Sequence, residues 1–150
     1  MHIRHLDYPA DVPQILAFLP ELYESNFPGF VVDGDFVARK RSQLREASRD
    51  PGQAVLVAED AKGVCGFVWL VIEVEYSGRR RGEISAIHVD PRVRGQGIGR
   101  QLMDEAEVLA RTYSCEVMHL MVTKSNDVAV GLYGNMGYSV TRYQMEKPIK

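Results

Sequence analysis

The spacing of apolar residues changes abruptly at Arg94-Gly95-Gln96-Gly97-Ile98-Gly99-Arg100. Before this segment, Glu83 to Val89 alternates as a strand does, with Ile84, Ala86 and His88 expected on one face and Glu83, Ser85 and Ile87 on the other. After it, Ile98, Leu102, Ala106 and Leu109 recur at helical spacing, which predicts a helix from about Gly97 to Thr112. Strand, glycine-rich turn and amphipathic helix in this order make a β-α unit. Its helix has one apolar stripe and must cover one face of a sheet.

The rest of the chain supplies that sheet. His2 to Leu6 reads as a short strand, and Asp7 as the N-cap of a helix running through Ile15, Leu16, Phe18 and Leu19 to Tyr23, with Pro13 tolerated near its start. Glu24 to Gly34 reads as a loop. Asp33 or Asp35 then caps a second helix with Phe36, Val37, Leu44 and Ala47 inward. Ala54 to Ala58 and Gly66 to Tyr76 read as strands joined by a hairpin turn at Asp60-Ala61-Lys62-Gly63. Glu116 to Val122 is a further strand, Asp127 to Met136 a short helix ended by Gly137, and Tyr138 to Met145 the last one or two strands. An antiparallel meander followed by a β-α-β unit predicts an α/β (α+β) fold, with a mixed, mostly antiparallel sheet of six to seven strands and helices on both faces. The 150 residues suit a single domain around one sheet.

Composition narrows the partners. Eighteen basic and 20 acidic residues leave a formal charge of −2, which argues against nucleic acid held by bulk charge. Cys65 and Cys115 form no C-x-x-C pair and read as small buried hydrophobes, which suits a reducing compartment. The stretch Met1 to Leu6 lacks an apolar segment of signal-peptide length, and Phe67 to Ile72 is too short to span a bilayer. The expectation is a cytoplasmic protein with no membrane partner. No His, Cys and carboxylate cluster has metal-ligand spacing, so no metal is expected.

A glycine-rich turn at a helix N-terminus offers free N–H groups, the positive end of the helix dipole and close backbone approach, all suited to a diphosphate. Arg94 and Arg100 add charge-assisted donors. The P-loop pattern fails because no Lys-Ser or Lys-Thr follows the glycines. The dinucleotide pattern G-x-G-x-x-G fails at Arg100 when counted from Gly95, and at Leu102 when counted from Gly97. What remains is R-x-x-G-x-G on Arg94, Gly97 and Gly99.

These residues resemble the central motif of the GNAT superfamily of acetyltransferases. The motif covers an I-x-x-I-x-V strand from Ile84, then Asp90-Pro91, then R-G-Q-G-I-G and the helix. Asn126, Ala129, Leu132-Tyr133 and Gly137-Tyr138 are similar to the family's downstream pattern. The resemblance spans about Gly82 to Tyr138. It implies acetyl-CoA as co-substrate, with the acyl-CoA arm lying where the strand before the loop splays from its neighbour. The diphosphate would fall on Arg94, Gly95, Gln96, Gly97, Ile98, Gly99 and Arg100. The backbone of Ile87, His88 and Val89 would meet the arm, and Asn126 would contact it besides capping its own helix. Tyr133 takes the position of the family tyrosine that hydrogen-bonds the thiol sulfur.

Direct acyl transfer to an amine needs a base, because an alkylamine with a pKa of about 10.4 is mostly protonated at neutral pH. It also benefits from an acid at the leaving thiolate. Glu83 is the candidate base, acting through a water, or else an edge glutamate paired with Arg80 or Arg81; Glu73 and Glu75 are its rivals. Tyr133 is the candidate acid. The segment Glu21 to Phe36 is rich in acids and aromatics, and Glu24, Phe27 and Asp33, together with Glu73, are candidates for holding a cationic acceptor. His88 and His119 read as structural. The expected activity is acetyl transfer from acetyl-CoA to a primary amine in a ternary complex. The alternatives are another acyl donor and an acyl-CoA-binding sensor without turnover. The C-terminal strands leave a homodimer open.

Overall fold

The computed structural model describes residues Met1–Lys150. Its elements in chain order are β1 (His2–His5), α1 (Val12–Asn26), α2 (Gly34–Ala47), β2 (Gln53–Asp60), β3 (Gly63–Val74) and β4 (Arg80–Val89). A 3-10 turn (Pro91–Val93), α3 (Ile98–Thr112), β5 (Val117–Leu120) and α4 (Asp127–Asn135) follow. The strands form one five-stranded sheet in the order β1-β2-β3-β4-β5. Neighbours are antiparallel except β4 and β5, which are parallel and joined through α3. No helix is long and apolar enough to cross a membrane.

The sheet separates two apolar layers. On one face, Val12, Ile15 and Phe18 of α1 and Leu44 and Ala47 of α2 pack on Val55, Val57, Phe67 and Trp69. On the other, Ile98, Leu102, Met103, Ala106 and Ala110 of α3 pack on Leu56, Val68, Leu70 and Ile84, with Tyr133 of α4 beside them. Ile98, Leu102 and Ala106 are buried as their spacing predicts; Met103 and Ala110 are buried as well, and Leu109 is only partly so.

Several boundaries differ from the sequence reading. Asp7 does not cap α1. The helix begins at Val12, and the buried Asp11 carboxylate accepts from the Asp7 N–H (2.7 Å) and from Arg4 of β1 (2.7 and 3.0 Å). A fixed carboxylate that ties strand to helix has displaced local capping. Asp33 does cap α2, accepting from the Phe36 N–H at 2.8 Å. The sheet has five strands, not six to seven, because Ser139 to Lys150 forms none and is exposed throughout. Its apolar residues Val140, Tyr143, Met145 and Ile149 all face water, so the β-prone composition finds no apolar face to pack on.

The most consequential difference lies in β4. Trp69 pairs with Ala86, but the next residue, Leu70, pairs with Ile84, so Ser85 is an extra residue. This β-bulge reverses the inward-outward order across it. Gly82 and Ile84 face α3, and Ile87 and Val89 face the same way. Ala86 packs on the α1/α2 side, and the His88 ring meets Phe18 there at 5.0 Å. Glu83 lies opposite Ile84 and so shares a face with His88. The alternation expected from sequence had placed those two apart. Gly66 holds the far end of β4 close to β3, since a Cβ there would meet the His88 carbonyl oxygen at 2.9 Å.

Candidate active site

The turn ahead of α3 is built from two left-handed glycines. Gly95 and Gly97 both have φ of +79°, a conformation that side chains disfavour. An added Cβ at either would meet nothing within 4 Å, so the space in front of the loop is open. Gly99 is packed instead, with Leu132 and Val89 side chains 3.7 Å from its Cβ position. Gln101 is the first α3 residue to donate inside the helix, to the Gly97 carbonyl at 3.0 Å. The N–H groups of Ile98, Gly99 and Arg100 therefore lead the helix unpaired by it, beside exposed Gln96 and Arg100. This is a cradle that fits a diphosphate.

Arg94 is already engaged. Its Nε donates to the Val89 carbonyl at 3.0 Å, and its terminal nitrogen lies 2.6 Å from Glu21 of α1. The second Glu21 oxygen is 4.0 Å from Nε2 of His88. His88 is buried, and that nitrogen has no hydrogen-bond partner. Burial pushes its pKa below the ordinary histidine value, against the opposing pull of Glu21. Glu21 was read only as part of an acidic segment; no local spacing marks its contact with a loop so distant in sequence.

β4 and β5 pair only from Arg81↔Val117 to Ile84↔Leu120. Ser85–Val89 runs on without a β5 partner, so the two strands part just beyond Ile84, the residue after Glu83. Ile87 and Val89 lie along this opening and directly precede the loop. Tyr133 of α4 lies in the core on the α3 face, the same core that Ile87 and Val89 pack against. Its ring is buried against Tyr138 (5.9 Å, edge-on), and burial raises its pKa further above the ordinary tyrosine value. It is a protonated phenol at neutral pH. Tyr138 is anchored by donating to Glu107 at 3.2 Å; the Tyr133 hydroxyl has no such acceptor. Asn126 caps α4 by accepting from the Ala129 N–H at 3.2 Å, and its amide reaches Asn26 at the end of α1 at 3.4 Å.

Glu83 stands on the α1/α2 face at the closed end of the opening. Burial pushes its carboxyl above the ordinary glutamate value, and the Glu73 charge adds to this; Arg81 and His119 pull the other way. It has no salt bridge with Arg80 or Arg81. Arg81 binds Glu73 instead, through two nitrogens at 2.8 and 2.5 Å. Glu75 is taken by Arg79. The carboxylates expected to meet an acceptor already hold structural bonds: Glu24 accepts from the Val32 N–H at 2.8 Å, Asp33 caps α2, and Glu73 holds Arg81. Phe27 is 54% exposed and stacks on Tyr23. Lys40 lies over the rings of Tyr23, Phe36 and Trp69 at 5.1, 5.5 and 6.0 Å. No group of three or more His, Cys, Asp or Glu residues is placed to hold a metal ion.

Residues 16–138 match the model of the Acetyltransferase (GNAT) family. A mycothiol acetyltransferase of Propionibacterium freudenreichii subsp. shermanii is 32% identical over 100 residues, 67% of this chain and 32% of that protein. The aligned part is thus about a third of the length of the mycothiol acetyltransferases. A peptidyl-lysine N-acetyltransferase of Salmonella typhimurium is 41% identical over 58 residues, 39% of this chain and 37% of that protein. Among solved structures, an aminoglycoside 6'-N-acetyltransferase of Acinetobacter haemolyticus superposes with a TM-score of 0.79 at 19% identity, covering 100% of this chain and 99% of that one. A transcriptional regulator of Bacillus halodurans gives 0.80 at 20%, with 99% of each chain covered. At such identities the two structures speak for the fold alone.

Proposed function

This chain belongs to the GNAT family of acetyltransferases, and we propose that it transfers an acetyl group from acetyl-CoA directly to a primary amine. One observation carries the reading: β4 parts from β5 just ahead of the glycine cradle, with Glu83 half-buried on one sheet face and the protonated Tyr133 phenol buried in the core on the other. The GNAT family uses acetyl-CoA, and the cradle at the α3 N-terminus would take its diphosphate, with Arg94 and Arg100 as donors. Ile87, His88 and Val89 would offer backbone groups to the arm. Asn126 would meet the arm from the α4 end.

In this mechanism Glu83 takes the proton that makes the acceptor amine nucleophilic, directly or through one water. Its raised pKa makes it a better proton acceptor than an ordinary glutamate. Tyr133 gives its proton to the departing sulfur. No covalent enzyme intermediate is needed. The acceptor enters from the α1/α2 side, over Phe27 and Phe30. A cationic amine suits that side, since Glu83 carries no ion pair of its own. The whole chain would work as one acyl-transfer domain in the cytoplasm.

Titration calorimetry with acetyl-CoA, followed by thiol release across a panel of primary amines, tests this. Binding with release for at least one amine is expected. Absence of binding to any acyl-CoA would sink the reading, and binding without release for every amine would favour a sensor.

A further inference from the structure

The parallel pairing of β4 with β5 sets Glu83 directly beside His119. Both lie on the α1/α2 face, because Met118 and Leu120 pack on the opposite core. Glu83↔His119 and Ile84↔Leu120 are the last paired positions before the strands part. His119 therefore occupies the closed end of the opening, one strand away from the candidate base. Its side chain is 32% exposed, so it also reaches water.

The histidine is oriented from both ring nitrogens. Arg81 approaches Nδ1 at 3.3 Å, and a guanidinium can only donate, so Nδ1 presents its lone pair. The ring proton then sits on Nε2, which faces a Glu75 oxygen at 3.8 Å. The same Glu75 oxygen is 3.8 Å from Arg81, and Glu75 is held by Arg79 on the turn between β3 and β4. Arg81 is itself fixed on Glu73. The charged groups facing His119 are thus Glu73 and Glu75 from β3, and Arg81 and Glu83 from β4.

We propose that His119 is the proton outlet of Glu83, a positioning residue that resets the base after each turnover. This rests on the acetyl-transfer reading given above. The amine proton bonds to a Glu83 oxygen as the N–H bond breaks. It then passes to Nδ1 of His119 through one water, because no direct contact joins the two side chains. As Nδ1 gains a proton, Nε2 gives its own to Glu75 or to bulk water. Arg81 turns from Nδ1 to the nearby Glu75 oxygen. One proton enters and one leaves, and no oxidant or further reactant is required.

Two experiments test this, the first independent of turnover. In a carbon-13 NMR titration of the Glu83 carboxyl, His119→Gln removes a neighbour that pulls the carboxyl down, so its midpoint rises. An unchanged midpoint would overturn the coupling, whatever the enzyme acetylates. In the second, His119→Gln lowers kcat about 10- to 100-fold while the Kd for acetyl-CoA stays unchanged. Added imidazole restores a substantial part of the loss by carrying the proton instead. It does not restore Glu83→Gln. A His119→Gln enzyme with wild-type kcat, or one slowed with no rescue, would overturn the relay. Failure of every amine in the wild type would instead strike the acetyl-transfer reading.

Discussion

At the scale of single residues, the proposed acid and the proposed base lie on opposite faces of the sheet. Tyr133→Phe keeps the ring and its packing on Tyr138 but removes the proton donor. It is expected to lower kcat more than tenfold with little change in Kd for acetyl-CoA, read by steady-state kinetics and calorimetry. His88 carries a stability prediction. Its folded pKa is depressed below the ordinary value of 6.5, so its contribution is present above that value and lost as pH falls through the folded pKa. Melting temperature should therefore drop on acidification below about pH 6.5, with a slope of up to about 1.4 kcal/mol per pH unit from this one group. His88→Phe should flatten that slope in pH-dependent thermal melts. Sequence brought Glu83 and Tyr133 forward by motif and spacing; in the structure Glu83 lies on the α1/α2 face of β4 and Tyr133 in the core on the α3 face. The Asp33 cap on α2 is local and was legible, but the partners of Glu24 and Glu73 were not, because the Val32 and Arg81 contacts depend on how the chain folds back on itself.

At the scale of elements, Arg94 links the glycine loop to α1 through Glu21, and a diphosphate bound at that loop would compete for it. Glu21→Gln is expected to free the guanidinium and lower the Kd for acetyl-CoA by roughly two- to fivefold at low salt. The gain should shrink as ionic strength rises, since the pair is about half exposed. Calorimetry at two salt concentrations checks this. The bulge in β4 was visible in the sequence after all. Ile84, Ile87 and Val89 are spaced three and then two apart, which a regular strand cannot place on one face. Reading strict alternation through Ala86 and His88 hid it. The α1 start at Val12 was not legible, because the Arg4–Asp11 pair that fixes it joins two separate elements.

At the scale of the whole molecule, the order of strands and helices followed from apolar period and turn residues, and the meander and the β-α-β unit both stand. The C-terminal stretch is where local pattern misled. Ser139 to Lys150 is β-prone in composition yet meets no partner on this chain. Truncation after Tyr138 is accordingly expected to shift Tm by no more than about 2 °C, because exposed residues carry little stability. Removing Tyr138 as well should cost more, through its contacts with Tyr133 and Glu107. A thermal melt of the two truncations separates these outcomes. The extra residue at Ser85 has a consequence for how such a chain can vary. The turn ahead of β4 is exposed from Tyr76 to Arg79, and a change of length there moves only solvent-facing backbone. Between Glu83 and Val89 the surplus codon is silent for facing. Without Ser85 the strand would alternate regularly, with Glu83, Ala86 and His88 on one layer and Ile84, Ile87 and Val89 on the other, and what the chain would give up is the local bend and added twist of the bulge.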